Sequence, residues 1–242
     1  KHNVTALAGH ENYRWKQNNL AGYMSGFVFP GQTELNNGSN AFNPPTSSED
    51  NETMESYFGS VNYTFDSKYL LSGSYRTDGS SIFAADKRWG NFYSVGAGWR
   101  ISQENFMQNI SWLNELKLKA SYGEQGNNAI GQLYSYKAYY YADGTGSYTP
   151  PQSLENPDIL WEKNQTTNVG IEYSVLKRRL SGSVEWFNRV SDNLLFQVPL
   201  PPSLGTFIWQ NIGTMKNTGI EVQISGVPVK SRNFDWKIDF NL

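Results

Sequence analysis

Two stretches gather aromatic side chains in a way that could hold a ligand. They are "LYSYKAYYYADGTGSYTPP" (residues 133–151) and "LPPSLGTFIWQN" (residues 200–211). Aromatic faces stack on sugar rings and other apolar ligand surfaces, and tyrosine tips add hydroxyls for hydrogen bonds. Tyr139, Tyr140, Tyr141, Phe207 and Trp209 are therefore the candidate ligand-binding residues. The more ordinary use of such rings is to pack loops on one another or on a partner protein, and that reading is favoured.

Catalytic patterns are missing. No phosphate-binding loop, GxSxG elbow or HExxH run occurs. "GAGWRI" (96–101) opens like a dinucleotide fingerprint but ends in Ile101 with no helix to follow. "RTDGSS" and "ADGTGS" have the composition of calcium loops without the ligand spacing or the distal Glu, which leaves turn chemistry. There is no Cys, and His2 and His10 are the only histidines. The expectation is a non-enzyme with no metal and no cofactor. A net charge of −2 offers no basic footprint for nucleic acid.

The elements that carry these loops are strands. Nine segments alternate with period two: residues 2–9, 56–66, 68–77, 92–101, 115–123, 166–175, 180–190, 219–227 and 234–242. In "RWGNFYSVGAGWRIS" (88–102), Tyr93, Val95, Ala97, Trp99 and Ile101 share one face, against Phe92, Ser94, Gly96, Gly98 and Arg100. Such a face fits the core of a soluble sandwich or a lipid contact equally well. The connections separate the two. Those at 10–55, 78–91, 124–165 and 191–218 are long. Three of the four between them are short, around Ser67, "LKRR" and "PVKSRN"; residues 102–114 are the exception, and "ENFMQNISWLNE" (104–115) could hold a short helical turn. Long and short connections on opposite rims are the layout of a membrane β-barrel, whereas Greek-key crossings keep no such parity.

Aromatics on the apolar face add a second test. Tyr57, Tyr75, Tyr93 and Tyr122 fall near the long-loop ends of their strands, and Phe65, Tyr69, Trp99, Tyr173 and Trp236 near the short-turn ends. Two such bands match the aromatic girdles of membrane–water interfaces. The opposite face then lines a lumen, with Arg76, Arg100, Lys117, Lys119, Glu172, Glu185 and Arg189 pointing into it. The expected fold is all-β: an antiparallel transmembrane barrel wall with long extracellular loops and mostly short periplasmic turns.

Four segments carry a family resemblance. "YLLSGSYRTDGSSIFAADKRWGNFYSVGAGWRISQENFM", "LNELKLKASYGEQGNNAIG", "NPDILWEKNQTTNVGIEY" and "NIGTMKNTGIEVQISG" resemble, in order and spacing, the barrel of SusC/RagA-type TonB-dependent outer-membrane transporters of Bacteroidetes. The resemblance covers roughly 56–242 and is less distinct over 1–55. Tyr93 departs from it where Pro is common, and "WFNRVSDNLL" where a Tyr-Tyr pair is usual. It implies a barrel of about 22 strands around an N-terminal plug. It also implies energy supplied by TonB, a SusD-like surface lipoprotein at the outer mouth, outer-membrane lipid around the wall, and a glycan or peptide substrate.

At about 27 residues per strand, about 22 strands need roughly 590 residues. Residues 1–242 are therefore expected to be one stretch of a single barrel domain, cut mid-strand at both ends and without the plug. Its two open edges are expected to keep it from folding alone as a stable monomer. Two rival readings remain: a soluble, aromatic-rich β-sandwich that binds carbohydrate, and a passive porin.

Overall fold

The computed structural model describes residues 1–31, 33–138, 141–142, 148–149, 153–201, 203 and 207–242, with backbone alone at 42, 141–142 and 148–149. Fourteen strands are described. Nine of them build one antiparallel sheet: β1 (His2–Ser25), β2 (Asn40–Phe65), β3 (Tyr69–Ser80), β4 (Trp89–Arg100), β5 (Leu113–Asn127), β9 (Glu162–Val175), β10 (Leu180–Asp192), β13 (Met215–Lys230) and β14 (Asp235–Asn241). Each pairs with the next in that order, and β1 and β14 form the two edges of an open sheet. The remaining strands lie in the long connections: β6 (Tyr141–Ala142), β7 (Tyr148–Thr149), β8 (Ser153–Leu154), β11 (Leu195–Pro199) and β12 (Phe207–Asn211).

All nine alternating segments of the sequence are wall strands. The register aligns their apolar positions across the sheet: Leu71 opposes Ala97, Ala97 opposes Ala120, Ala120 opposes Val169, Val169 opposes Trp186, and Trp186 opposes Ile220. No second sheet covers this row among the described residues. Val95 is 55% exposed, Ile171 46% and Ile220 63%. A sandwich would bury them, so the soluble alternative fails on this geometry.

The short connections are tight. At Asp66 and Ser67 the backbone turns through φ of 49° and 57°, and the Lys68 N–H donates to the Phe65 carbonyl at 2.9 Å. Two consecutive left-handed residues give the primed twist that matches flanking strands. The β4–β5 connection holds single 3₁₀ turns at Ile101–Gln103 and Asn105–Met107.

One expectation needs correction. The sequence reads 10–55 as a long outer connection, yet β1 and β2 run on as a hairpin from His10 opposite Tyr57 to Ser25 opposite Asn40. These arms are mostly polar and mostly exposed, with Trp15, Met24 and Met54 partly buried. Strands that stand in water have no apolar face, and so leave no period-two signal. The register slips near Tyr23, beside the stretch with Pro44 and Pro45, which offer no N–H to the ladder.

The compact apolar core lies among the long connections. Ile82, Phe83, Phe92, Ile130, Ile159 and Trp161 are buried together, with Met54, Leu133, Leu195 and Trp209 packed around them. Phe92 belongs to the polar face of the wall, and its ring occupies the space a side chain at Gly126 would need. This is what couples loop packing to the wall.

Candidate functional site

The outward aromatics form two bands. Near the long-loop rim Tyr57 stacks on His10 at 4.7 Å and on Trp89 at 6.3 Å. Tyr75 stands opposite Tyr93, whose ring lies 5.8 Å from that of Tyr122. Near the short-turn rim Phe65 sits 4.7 Å from His2 and 6.1 Å from Tyr69, and Tyr69 stands opposite Trp99. Tyr173 lies across Gly182, where no side chain could fit beneath it, and Trp236 pairs with Val229. Tyr69 and Tyr75, like Trp99 and Tyr93, are six residues apart, roughly 20 Å along a strand. Sequence reasoning did not assign Trp89, His2 and His10 to the bands. The histidines were weighed only as ligands, and Trp89 fell in a segment read as loop.

Tyr69 donates its hydroxyl and Trp99 its indole N–H to Oε1 of Glu104, at 2.6 and 3.0 Å, while Lys68 reaches Oε2 at 3.1 Å. The hydroxyl, then the indole, then the ammonium hold the Glu104 carboxyl down at about 2. This carboxylate, in the connection after β4, had no signal in the sequence.

The opposite face carries ion pairs. Arg100 meets Glu115 through two bonds of 2.7 and 2.8 Å. Lys117 reaches Glu172 at 3.3 Å, and Lys119 spans Glu172 and Glu185 at 3.1 and 2.6 Å. Arg76 binds Asp78 at 2.6 Å and Glu11 at 3.2 Å, while Arg189 lies over Phe187 and meets Glu221 at 3.5 Å. All seven charged residues expected on this face therefore stand there in ion pairs. A trough of about 450 Å³ runs between them, lined in part by Asn62, Ser72, Gly96, Lys117, Lys119 and Ser121.

The loop core is pinned by hydrogen bonds of long reach. Trp161 Nε1 donates to the Arg88 carbonyl at 2.8 Å, and Asn128 reaches Ser80 Oγ at 3.1 Å. Trp209 donates to Gln132 at 3.0 Å, and its carbonyl accepts from Asn156 at 2.7 Å. Phe207 opens β12 opposite Pro199 and runs parallel to Ser153. Of the other candidate ligand-binding residues, Tyr141 pairs through its backbone with Thr149, while Tyr139 and Tyr140 lie outside the described residues. Among the described residues no group of three or more His, Asp or Glu is placed to hold a metal.

Comparison with known proteins follows the same lines. Residues 3–242 match the family described as TonB dependent receptor-like, beta-barrel, so the match takes in the region before residue 56 as well. TonB-dependent receptor P39 of Formosa agariphila is 36% identical over 251 positions, spanning 100% of this chain and 24% of that protein. TonB-dependent receptor SusC of Bacteroides thetaiotaomicron is 34% identical over 78% of this chain and 20% of its own length. The solved RagAB peptide transporter superposes over 100% of this chain and 27% of its own with a TM-score of 0.89, at 31% identity. The chain thus spans about a quarter of the relatives it matches. The siderophore receptor PirA of Pseudomonas aeruginosa, 15% identical with a TM-score of 0.54 over 80% of this chain and 34% of its own, shares the fold alone.

Proposed function

For a chain that belongs to the TonB-dependent receptor β-barrel family, we propose that residues 1–242 are one stretch of the barrel wall of an outer-membrane importer of glycans or peptides. One observation carries this reading. A single-layer sheet exposes a continuous apolar face between two aromatic bands and lines its other face with ion pairs. Lipid covers the first face and water fills the lumen beside the second. The long connections are extracellular and the short ones periplasmic, in keeping with the general layout of outer-membrane barrels.

In this reading the wall anchors the importer, lines the passage and presents the loop core at its mouth. Tyr139, Tyr140, Tyr141, Phe207 and Trp209 are the candidate substrate contacts, supported by their place in the sequence of the long connections and, for Trp209, by its packing against that core. TonB supplies the energy through a part of the protein outside this chain, and a SusD-like lipoprotein captures substrate with the loops. The test is purification of the native protein from membranes in mild detergent, with its intact mass and partners identified. A chain well beyond 27.4 kDa accompanied by a surface lipoprotein is expected. A detergent-free 27 kDa monomer would overturn the reading.

A further inference from the structure

At the short-turn rim, two adjacent turns concentrate positive charge. The β9–β10 turn carries Lys177, Arg178 and Arg179, while Lys230 ends β13 and Arg232 lies in the β13–β14 turn. The Val227 N–H donates to the Arg179 carbonyl at 2.7 Å, so the two turns are joined. All five residues are exposed, and among the described residues none of the five takes part in an ion pair. The carboxylates nearest these turns are Asp235, opposite Lys230 in the ladder, and Glu115, which feels the charge of Arg178 but is bound by Arg100. Elsewhere on the rim the pattern is the reverse, since Lys68 is neutralised by Glu104.

Exposed apolar groups surround the charges. Leu176, Phe234 and Trp236 are about half exposed or more, and the Leu176 N–H donates to the carbonyl of Trp112, another exposed ring. Residues 176–178 all hold positive φ without a glycine (55°, 56° and 63°), and the Arg178 N–H is fixed by Asn114 at 2.9 Å. The cations are thus carried on a defined turn beside an apolar edge.

We infer that these two turns form a binding site for the headgroup of an anionic phospholipid in the adjoining leaflet. Cations beside aromatic anchors at a membrane interface match this ligand on both counts, with phosphodiester against guanidinium and acyl chain against ring. A soluble acidic protein or a cell-wall fragment would satisfy the charges and leave the apolar edge uncovered. The inference rests on the outer-membrane reading, which recovery in the membrane fraction scores separately.

The experiment takes the full-length protein in mild detergent, both native and with Lys177, Arg178, Arg179, Lys230 and Arg232 changed to Gln. A control carries Lys163→Gln and Lys216→Gln on the far half of the wall. Folding is verified by the gel shift between unheated and boiled samples. Native mass spectrometry then counts retained phosphatidylglycerol and phosphatidylethanolamine, offered in equal amounts. The native protein is expected to retain phosphatidylglycerol at least fivefold over phosphatidylethanolamine; the five-Gln variant should lose that preference and the control should keep it. Equal retention of both lipids by the native protein, an unchanged preference in the five-Gln variant, or displacement of phosphatidylglycerol by soluble cell-wall fragments would each overturn the inference.

Discussion

The indole N–H of Trp99 donates to Oε1 of Glu104 at 3.0 Å, and the same oxygen accepts the hydroxyl of Tyr69 at 2.6 Å. Two rings from adjacent strands are thereby tied to one carboxylate in the following connection. The aromatic band at this rim is therefore a fixed structure as well as a preference of Trp and Tyr for interfaces. With Lys68 completing the set, the carboxylate has good reason to stay ionised.

That predicts a pH dependence with a definite sign. The Glu104 carboxyl lies at about 2 in the folded protein, against 4.5 for a free side chain. A lowered folded-state value contributes stability that is fully present above the unfolded value and is lost as pH falls through the folded one. The native full-length barrel should therefore be more heat-resistant than Glu104→Gln at pH 7, with the gap closing between about pH 4.5 and about 2. Gel-shift melting midpoints at a series of pH values check this. A gap that stays constant down to pH 2.5 would count against it.

The loop core predicts a local failure. Trp161 lies 5.1 Å from Phe83 and 5.5 Å from Phe92, and its N–H is bound to Arg88. Trp161→Ala should cost about 3–5 kcal/mol of local packing. Trp161 meets the wall at Phe92 but takes no part in its ladders, so the loss should fall mainly on the loops. Limited proteolysis should then cut near 81–88 and 153–160 at least tenfold faster, while the barrel keeps its gel shift. Loss of the whole barrel would mean that the loops and the wall fold as one unit.

How much was legible follows from where each residue is solvated. Strands with lipid on one side and water on the other write a strict alternation, so Leu116, Leu118, Ala120 and Tyr122 identified β5 from residue types alone. The β1–β2 arms are mostly polar and left no alternation to read. Strands of two to five residues, such as β8 and β12, are too short for any period to register. Phe83, Ile130, Ile159 and Trp161 are scattered apolar residues in long connections, and only the fold brings them together. Glu104 is 35 residues from Tyr69 and sits in no pattern of its own. Phe207 and Trp209 drew notice for their rings. The structure adds that Trp209 lies against the loop core, a relation no spacing encodes.

The polar face predicts modest and salt-sensitive couplings. Lys119 meets Glu185 at 2.6 Å on the polar face, with both side chains about a quarter exposed on average. A double-mutant cycle with Lys119→Met and Glu185→Gln should give a coupling of up to about 1 kcal/mol. The coupling should shrink at 1 M salt, where the screening length is about 3 Å. A coupling several times larger and indifferent to salt would indicate a dry interior instead of a hydrated lumen.

The assignment of the two faces has its sharpest test at neighbouring residues. Ala120 stands between Ala97 and Val169 in the apolar row, and Ser121 stands between Gly96 and Asn168 on the polar face. Both are exposed, so an arginine at either meets little steric resistance from the wall. Their surroundings differ entirely. An arginine near the bilayer midplane costs a transmembrane barrel about 2–4 kcal/mol, while one in a hydrated lumen is solvated. Ala120→Arg should therefore destabilise the full-length barrel in lipid bilayers by that amount, read from reversible unfolding in denaturant. Ser121→Arg should change it by less than about 1 kcal/mol, because water on the polar face solvates the added cation. In a detergent-free aqueous sandwich the ranking would be lost, since neither position would face hydrocarbon. Equal effects at the two positions would thus reject the outward assignment of Leu71, Ala97, Ala120 and Val169 together, and with it the lipid contact that the aromatic bands imply.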